Sequence, residues 1–347
     1  MNLPTGIKNT RQFLESLDLK QIEAAVAAEA RAQLVIVGPV NSGKSTLFNL
    51  LKGQKLSPVS AVPGTTTRNL GERFGPFWLV DTPGFGELGG EGRTRTALQA
   101  VDAADVAVLV LDASAGVRQS DAELLHEVRV RGLPAVVALN KIDLLKGADI
   151  RQVTRDAELK LGAPIIPISA RKGTNVADKL IPAIIDAHPR MAVTIGRALP
   201  RYRRLAAQRV VRESGAIASL VGSEPVPGLG IPLMVGIHVR MLLRLAAIYG
   251  EAFSVARARE LLSAIAGGVL VRYGAQEAVK LIPGAGWLAA SIAAGTGTWA
   301  LGQAAIAFFQ AGQTLSEKDL RTLYKDFRAR RRGRRKGRDQ ADWQEAE

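Results

Sequence analysis

A chain of 347 residues, 47% hydrophobic, 22% charged and 5% aromatic, has length for two domains, or for one large domain with an appendage, and is neither wholly disordered nor a disulfide miniprotein. Cysteine is absent and histidine occurs three times, which excludes thiol nucleophiles, disulfides and cysteine–zinc sites and leaves little room for a histidine metal site. The net charge of +14 is uneven: residues 1–189 carry 22 Lys/Arg against 20 Asp/Glu, whereas residues 190–347 carry 24 against 12, so the second half calls for an anionic partner, nucleic acid or a membrane face.

The first twenty residues lack the apolar core of a signal peptide, which predicts a cytoplasmic protein. Residues 11–30 read as an amphipathic helix, with Phe13, Leu14, Leu17, Ile22 and Val26 at helical spacing. From residue 31 to 188 the pattern changes to short apolar runs separated by helical stretches: Leu34 to Val37, Phe77 to Val80, Val106 to Leu111, Ala135 to Leu139 and Ile165 to Ile168. Such runs predict buried strands of a mostly parallel α/β sheet with helices on both faces. Residues 189–214 form a basic linker running into a helix, and residues 215–314, rich in Ala, Gly and Leu without strand-like alternation, predict an all-helical domain. In the tail, residues 315–347, Arg328 to Arg338 holds eight Lys/Arg in eleven positions before the sequence turns acidic, and like-charge repulsion argues against a packed fold there.

Directly after the first apolar run stands Gly38-Pro39-Val40-Asn41-Ser42-Gly43-Lys44-Ser45, followed by Thr46, a complete G-x-x-x-x-G-K-S. Its glycines let backbone N–H groups turn toward phosphates, Lys44 can reach the β and γ phosphates, and Ser45 is the expected magnesium ligand. Asp81-Thr82-Pro83-Gly84 follows the second run, where Asp81 would hold magnesium through water and the Gly84 N–H would meet the γ-phosphate. Asn140-Lys141-Ile142-Asp143 follows the fourth. An aspartate at 143 can accept both N–H groups of guanine's N1 and N2 edge, which adenine does not offer, while the Lys141 stem can cover the base. Ser169-Ala170 follows the fifth run, where a backbone N–H could meet guanine O6. Four motifs in order, each at a strand's C-terminal end, imply GTP and Mg2+.

With Pro63 to Arg68 (P-G-T-T-T-R) and Ser169 to Gly173 (S-A-R-K-G), these motifs resemble the translation-factor-related GTPases, most closely the Era, Der and MnmE group, over about residues 31–188. The resemblance implies a P-loop GTPase fold, hydrolysis of GTP to GDP and phosphate, and room for a homodimer through the GTPase domains. The group's switch segment usually reads P-G-x-T-R; the extra threonine here makes Thr67, beside Arg68, the first choice for the switch threonine on magnesium and Thr66 the second. After Gly84 stands Phe85, whose ring cannot orient water as a glutamine does, so hydrolysis must rest on another positioned group or on charge. Asn41 occupies the position at which this group binds K+ in place of an arginine finger; its other reading is a plain loop residue. Glu87 and Glu91 are weaker candidates for orienting water.

Residues 225–314 more loosely resemble an uncharacterised helical domain that follows Era-like GTPase domains in some bacteria and has relatives among membrane proteins. The match lies in Met234 through Tyr249-Gly250, Lys280-Leu281-Ile282-Pro283-Gly284-Ala285-Gly286 and the Ala/Gly run ending near Phe309. Leu281 to Gln313 holds no charge and is long enough to span a bilayer, although Pro283 and the glycines weaken insertion. Gly228 to Tyr249 carries Arg240 and Arg244, which at mid-bilayer would cost about 5 to 7 kcal/mol. The row Ala290, Ala294, Thr298, Gly302 makes a smooth face for close helix packing in water or lipid. A helical bundle, an inserted hairpin and reversible surface docking all fit. The leading expectation is a membrane-associated regulatory GTPase at the cytoplasmic face, bound to an anionic membrane surface or a membrane protein. Its rivals are an RNA- or ribosome-linked GTPase and a GTP-binding scaffold with little turnover.

Overall fold

The computed structural model describes residues 19–53, 72–80, 101–223, 230–252, 254–266 and 286–344. They fall into two compact units, one from Ala28 to Ala206 and one joining Met1–Ala27 to Ala207–Glu347. In the first, β1 (Leu34–Val37), β2 (Glu72–Phe74), β3 (Phe77–Leu79), β4 (Val106–Asp112), β5 (Ala135–Asn140) and β6 (Ile165–Pro167) form one sheet in the order β2-β3-β1-β4-β5-β6. All neighbouring pairs are parallel except β2 and β3. The five strands read from the apolar runs are present because a parallel strand buried on both faces must be apolar throughout, as Val106 to Leu111 is.

The strand missed by that reading is β2. It has three residues, two of them charged, and becomes a strand through the Gly75-Pro76 turn, where Gly75 has φ 56° and sends the chain back as β3. The Arg73 guanidinium lies 4.9 Å from the centre of the Trp78 ring across this pair, and the charged edge discourages further strand addition.

Helices α1 (Leu19–Glu29), α2 (Lys44–Lys52), α3 (Gln119–Val130), α4 (Gly147–Leu161), α5 (Ile181–Ala187) and α6 (Met191–Ala198) follow in chain order. The part of the predicted N-terminal helix before Leu19 lies outside the described residues. Leu124 and Val128 of α3 and Ala157 and Leu161 of α4 close over Leu109, Leu111, Val137 and Leu139 of the sheet to make the main core. The arginines between 190 and 212 fall on helices: α6 is buried over nearly its whole length, and α7 (Arg203–Gly222) leads into the second unit.

That unit continues with α8 (Gly230–Tyr249), α9 (Val255–Ala266), α10 (Gly286–Gln310) and α11 (Glu317–Gln344). Helix α10 is its axis. It runs antiparallel to α7: a Cβ on Gly302 would lie 2.4 Å from Val211 Cγ2, one on Gly222 would lie 2.7 Å from Ala294 Cβ, and Ser291 Oγ donates to Ser219 O at 2.8 Å. It runs parallel to α8, whose His238 Nε2 meets Thr298 Oγ1 at 2.8 Å and whose Tyr249 ring stacks on Phe309 at 5.8 Å. It runs antiparallel to α11, where the Phe327 ring meets Trp299 edge-on at 6.1 Å and the Arg331 guanidinium sits 4.8 Å from the Trp299 ring. The row Ala290, Ala294, Thr298, Gly302 is buried by these neighbours. Among the described residues α10 alone is long and apolar enough to cross a membrane, and most of it is covered by the rest of the protein.

The basic tail is helical, for α11 continues through Arg328 to Arg338 and ends at Gln344. Arginine and lysine are strong helix formers, one residue per 100° spreads their charges around the axis, and Leu320 and Tyr324 bury the start of the helix.

Candidate nucleotide site

Strand order positions the site. Neighbours β3 and β4 flank β1, and the chain leaves β1 at this reversal of direction across the sheet, where open α/β sheets leave a crevice beyond the strand ends. The loop there is shaped by residues that tolerate left-handed backbone: Gly38 has φ 145°, Asn41 φ 64° and Gly43 φ 90°. A side chain on Gly38 would strike Val110 O at 2.2 Å, so the loop lies directly against β4. Gly43 then starts α2, and the turn and helix start together present successive N–H groups as an anion-binding nest. Lys44 is buried and its Nζ donates to Pro39 O at 2.8 Å, folding back across the loop. Ser45 and Thr46, on the first turn of α2, are exposed. Ser42 is fully buried, and its Oγ meets no hydrogen-bond partner among the described residues.

One amide ties three motifs together. Asn140, at the end of β5 and 2% exposed, donates from Nδ2 to Ser42 O at 2.9 Å and accepts at Oδ1 from the Ala170 N–H at 2.8 Å. No Cβ could stand on Gly43, since it would lie 2.2 Å from Asn140 Nδ2. The P-loop, the Asn140-to-Asp143 segment and the Ser169-Ala170 turn are thus held as one surface. Next to it, Ser169 Oγ donates to Asp143 Oδ1 at 2.7 Å and accepts from the Lys172 N–H at 3.1 Å. The Ser169 hydroxyl holds the Asp143 carboxyl below its usual range, burial opposing it and the Asp143 backbone N–H and the charges of Lys172 and Arg171 adding to the lowering. Asp143 is therefore an anion at neutral pH, able to accept two hydrogen bonds.

The sequence reading missed Asp112 and Ser114. Asp112 ends β4 in register with Asn140, and its Oδ2 pairs with Lys141 Nζ at 2.6 Å. Its Oδ1 accepts from both the Ser114 N–H at 2.9 Å and the Ser114 hydroxyl at 2.6 Å. Partial burial raises its pKa, but the Lys141 and Ser114 hydrogen bonds outweigh that and lower it. Lys141 itself has φ 69°, a conformation uncommon outside glycine and asparagine, and the ion pair helps hold it there. The available signal was topological: β4 lies between the strands that end in the P-loop and in Asn140, so a polar residue at its end had to fall between the two motifs. Thr66, Thr67, Asp81, Gly84, Phe85, Glu87 and Glu91 lie outside the described residues.

Residues 33–141 match the family model described as 50S ribosome-binding GTPase. GTPase Der of Allorhizobium ampelinum is 40% identical over 176 residues, covering 48% of this chain and 35% of the relative. GTPase Era of Clostridium acetobutylicum is 35% identical over 164 residues, covering 44% of this chain and 54% of the relative. The chain spans about half or less of the length of these curated relatives. Among solved structures, Aquifex aeolicus Era bound to GDP.AlF4- is similar at 29% identity and a TM-score of 0.36, covering 54% of this chain and 67% of that one. The strand, loop and helix arrangement around Gly38 to Ser45 is that of a P-loop GTPase fold, and residues 33–141 are similar to the 50S ribosome-binding GTPase family and to Era and Der.

Proposed function

We propose that this protein is a GTP-hydrolysing switch whose helical unit attaches it to an anionic membrane at the cytoplasmic face. The observation that supports the nucleotide reading is the Asn140 side chain, which spans from Ser42 O to the Ala170 N–H and so sets phosphate loop and base-reading loop at a fixed separation. Phosphates would lie on the N–H groups from Gly38 to Ser45, with Lys44 released from Pro39 O to the β and γ charges. Guanine would be read by Asp143, with the stem of Lys141 across the ring; the Ala170 N–H is already given to Asn140 Oδ1, so the expected contact of that amide with guanine O6 is not free in this arrangement. Ser45 fits magnesium chemistry, its exposed hydroxyl standing on the first turn behind a phosphate-shaped loop; from the sequence, Thr67 and Asp81 would be the other ligands. Magnesium held there would supply charge neutralisation to the phosphates. The Gly84 N–H would meet the γ-phosphate.

No glutamine follows Gly84, so hydrolysis must rest on another positioned group or on charge, and charge is the route proposed. Asn41, exposed and held at φ 64°, is the residue for a K+ ion that would supply that charge. A homodimer through the GTPase domains would show as turnover per molecule that rises with protein concentration. The decisive measurement is turnover of GTP and ATP by the full chain and by Lys44→Ala, in potassium and in sodium at equal ionic strength. We expect GTP preference, a loss of at least about 100-fold in Lys44→Ala, and faster turnover in potassium. Equal use of GTP and ATP would overturn the base assignment, and equal rates in the two salts would remove the cation.

The family description favours a second reading, a ribosome-linked GTPase. Co-sedimentation of the chain with ribosomal particles, with no binding to anionic vesicles, would put that reading first.

A further inference from the structure

Exposed large apolar side chains are not scattered over the helical unit. Among the described residues they are Ile217 (39% exposed), Leu220 (72%), Leu233 (47%), Trp287 (51%) and Leu288 (50%). The helix pairings bring all five to one end. Ile217 and Leu220 lie on the last turns of α7, and that end of α7 meets the beginning of α10, since Ser219 accepts from Ser291 and Gly222 packs on Ala290 and Ala294. Trp287 and Leu288 are on the first turn of α10. Leu233 is on the first turn of α8, which runs parallel to α10 from the pairing of His238 with Thr298, so its start lies beside Ala290, about one turn into α10.

The same end is approached by the most basic segment of the chain. Helix α11 is antiparallel to α10, and Arg331 stands over Trp299. From Trp299 back to Gly286, and from Arg331 on to Gln344, each helix has thirteen residues left. At 1.5 Å per residue both continue for about 20 Å in the same direction. The backbone from Arg332 to Arg338, with five Lys/Arg in seven positions, therefore runs beside the apolar end. An apolar tip with a tryptophan at its margin and a cationic helix alongside is the combination that binds the boundary of an anionic leaflet: charge concentrates the protein at the surface, and leucine and tryptophan enter among the headgroups.

We infer that this end of the helical unit, formed by Leu220, Leu233, Trp287 and Leu288 with the Arg332-to-Arg338 segment beside it, is a docking tip that inserts shallowly into an anionic lipid surface. The inference rests on the membrane reading above and specifies its surface. Insertion is confined to the tip, because the row from Ala290 to Gly302 is already covered by α7 and α8. A spanning role for α10 would require those helices to leave it.

The experiment is flotation of the full chain with vesicles of phosphatidylcholine alone and of phosphatidylcholine with phosphatidylglycerol. The proteins compared are the unmodified chain, Leu220→Ser with Leu288→Ser, and Leu159→Ser, an equally exposed leucine on α4 of the other unit. The unmodified chain should float with the anionic vesicles at low salt and much less with the neutral ones, and Trp287 emission should shift to the blue. The double variant should lose about tenfold in partitioning, with GTP turnover and helical circular dichroism unchanged. Leu159→Ser should behave as the unmodified chain does. If the unmodified chain floats and the double variant floats equally well, the tip is wrong and the membrane reading stands. If the unmodified chain stays in solution with both vesicle types, both fall. A double variant that alters only self-association or ribosome binding would assign the tip to protein or RNA contact and overturn the proposal.

Discussion

Both units bury polar side chains, but they place them differently. In the sheet unit four of them, Ser42, Lys44, Asn140 and Ser169, are buried together beyond the ends of β1, β5 and β6, while Glu29, Asp121 and Thr194 are buried on its helices. In the helical unit Ser214, His238, Arg244 and Thr298 are spread along the helices, and their recorded partners are other protein groups: His238 with Thr298, and Arg244 Nη1 with Glu213 Oε2 at 2.7 Å. Polar groups gathered at one end of a rigid sheet form a surface for a ligand, whereas polar groups paired between helices fix which helix faces which. Changes to the first set should act on nucleotide, and changes to the second on stability.

The largest expected effect is on base choice. Asp143→Ala removes both acceptors for guanine and should cut the ratio of GTP to ATP affinity by about a thousandfold, equivalent to about 4 kcal/mol, while leaving thermal stability nearly unchanged. Titration of both nucleotides against the two proteins measures it. An unaltered ratio would mean that the base is read elsewhere.

The second largest effect belongs to the helical unit and should appear as a pH dependence. Burial lowers the His238 pKa from 6.5 to about 4, so the fold holds this imidazole neutral. Below pH 6.5 the unfolded chain binds a proton that the folded one refuses; stability is full above that pH and falls progressively as pH drops toward 4. The whole loss is about 3 kcal/mol. Chemical denaturation at pH 7 and pH 4.5 should show it, and His238→Gln should reduce the difference, whereas GTP preference at pH 7 should not change. A His238→Gln protein with the same pH slope would assign the acid sensitivity to other groups.

A third test adds volume where two helices touch. A Cβ on Gly302 would stand 2.4 Å from Val211 Cγ2 and 2.6 Å from Val211 Cγ1, so Gly302→Ala should destabilise the helical unit by about 1 to 3 kcal/mol. Val211→Ala in the same chain should recover part of that loss, because it removes the colliding methyls. Absence of recovery would mean that the α7–α10 contact is not where the strain lies.

The contrast also explains what could be read from sequence. Five strands and the nucleotide motifs were legible because a buried parallel strand is an unbroken apolar run and because phosphate and guanine contacts demand particular residues at fixed offsets, as in Gly38 to Ser45 and Asn140 to Asp143. Strand β2 was not legible, since Glu72-Arg73-Phe74 carries no apolar run and pairs only through its turn. In the helical unit the row from Ala290 to Gly302 announced close packing but not its partner, because small residues accept any neighbour of the right shape; Val211 and His238 became partners only through the three-dimensional arrangement. The apolar tip was hidden for the same reason. Leu220, Leu233 and Trp287 are separated along the chain, and only the directions of α7, α8 and α10 bring them together.

Asp112 provides the smallest and sharpest test of the division, because it lies at the nucleotide surface yet acts through another side chain. Its carboxylate holds Lys141 Nζ at 2.6 Å, with the two side chains 17% and 30% exposed, respectively. A partly exposed pair of this kind is worth about 1 kcal/mol or less, so Asp112→Asn should leave stability almost untouched. Its consequence should be local: with a weaker hold on the ammonium, the Lys141 stem is less fixed in its left-handed backbone position and covers the base for a smaller fraction of the time. Guanine nucleotide affinity should fall by a few-fold, about 1 kcal/mol, with the ratio of GTP to ATP affinity reduced much less than in Asp143→Ala. Since the Asp112 pKa is lowered by Lys141 and Ser114, the group is ionised throughout the neutral range, and the defect should not vary between pH 6 and pH 8. In Lys141→Met, which keeps an apolar stem and discards the charge, the Asp112→Asn change should have no further effect on GTP affinity. A full additional loss in that double variant would show that Asp112 acts through Ser114 and the loop after β4 instead of through Lys141.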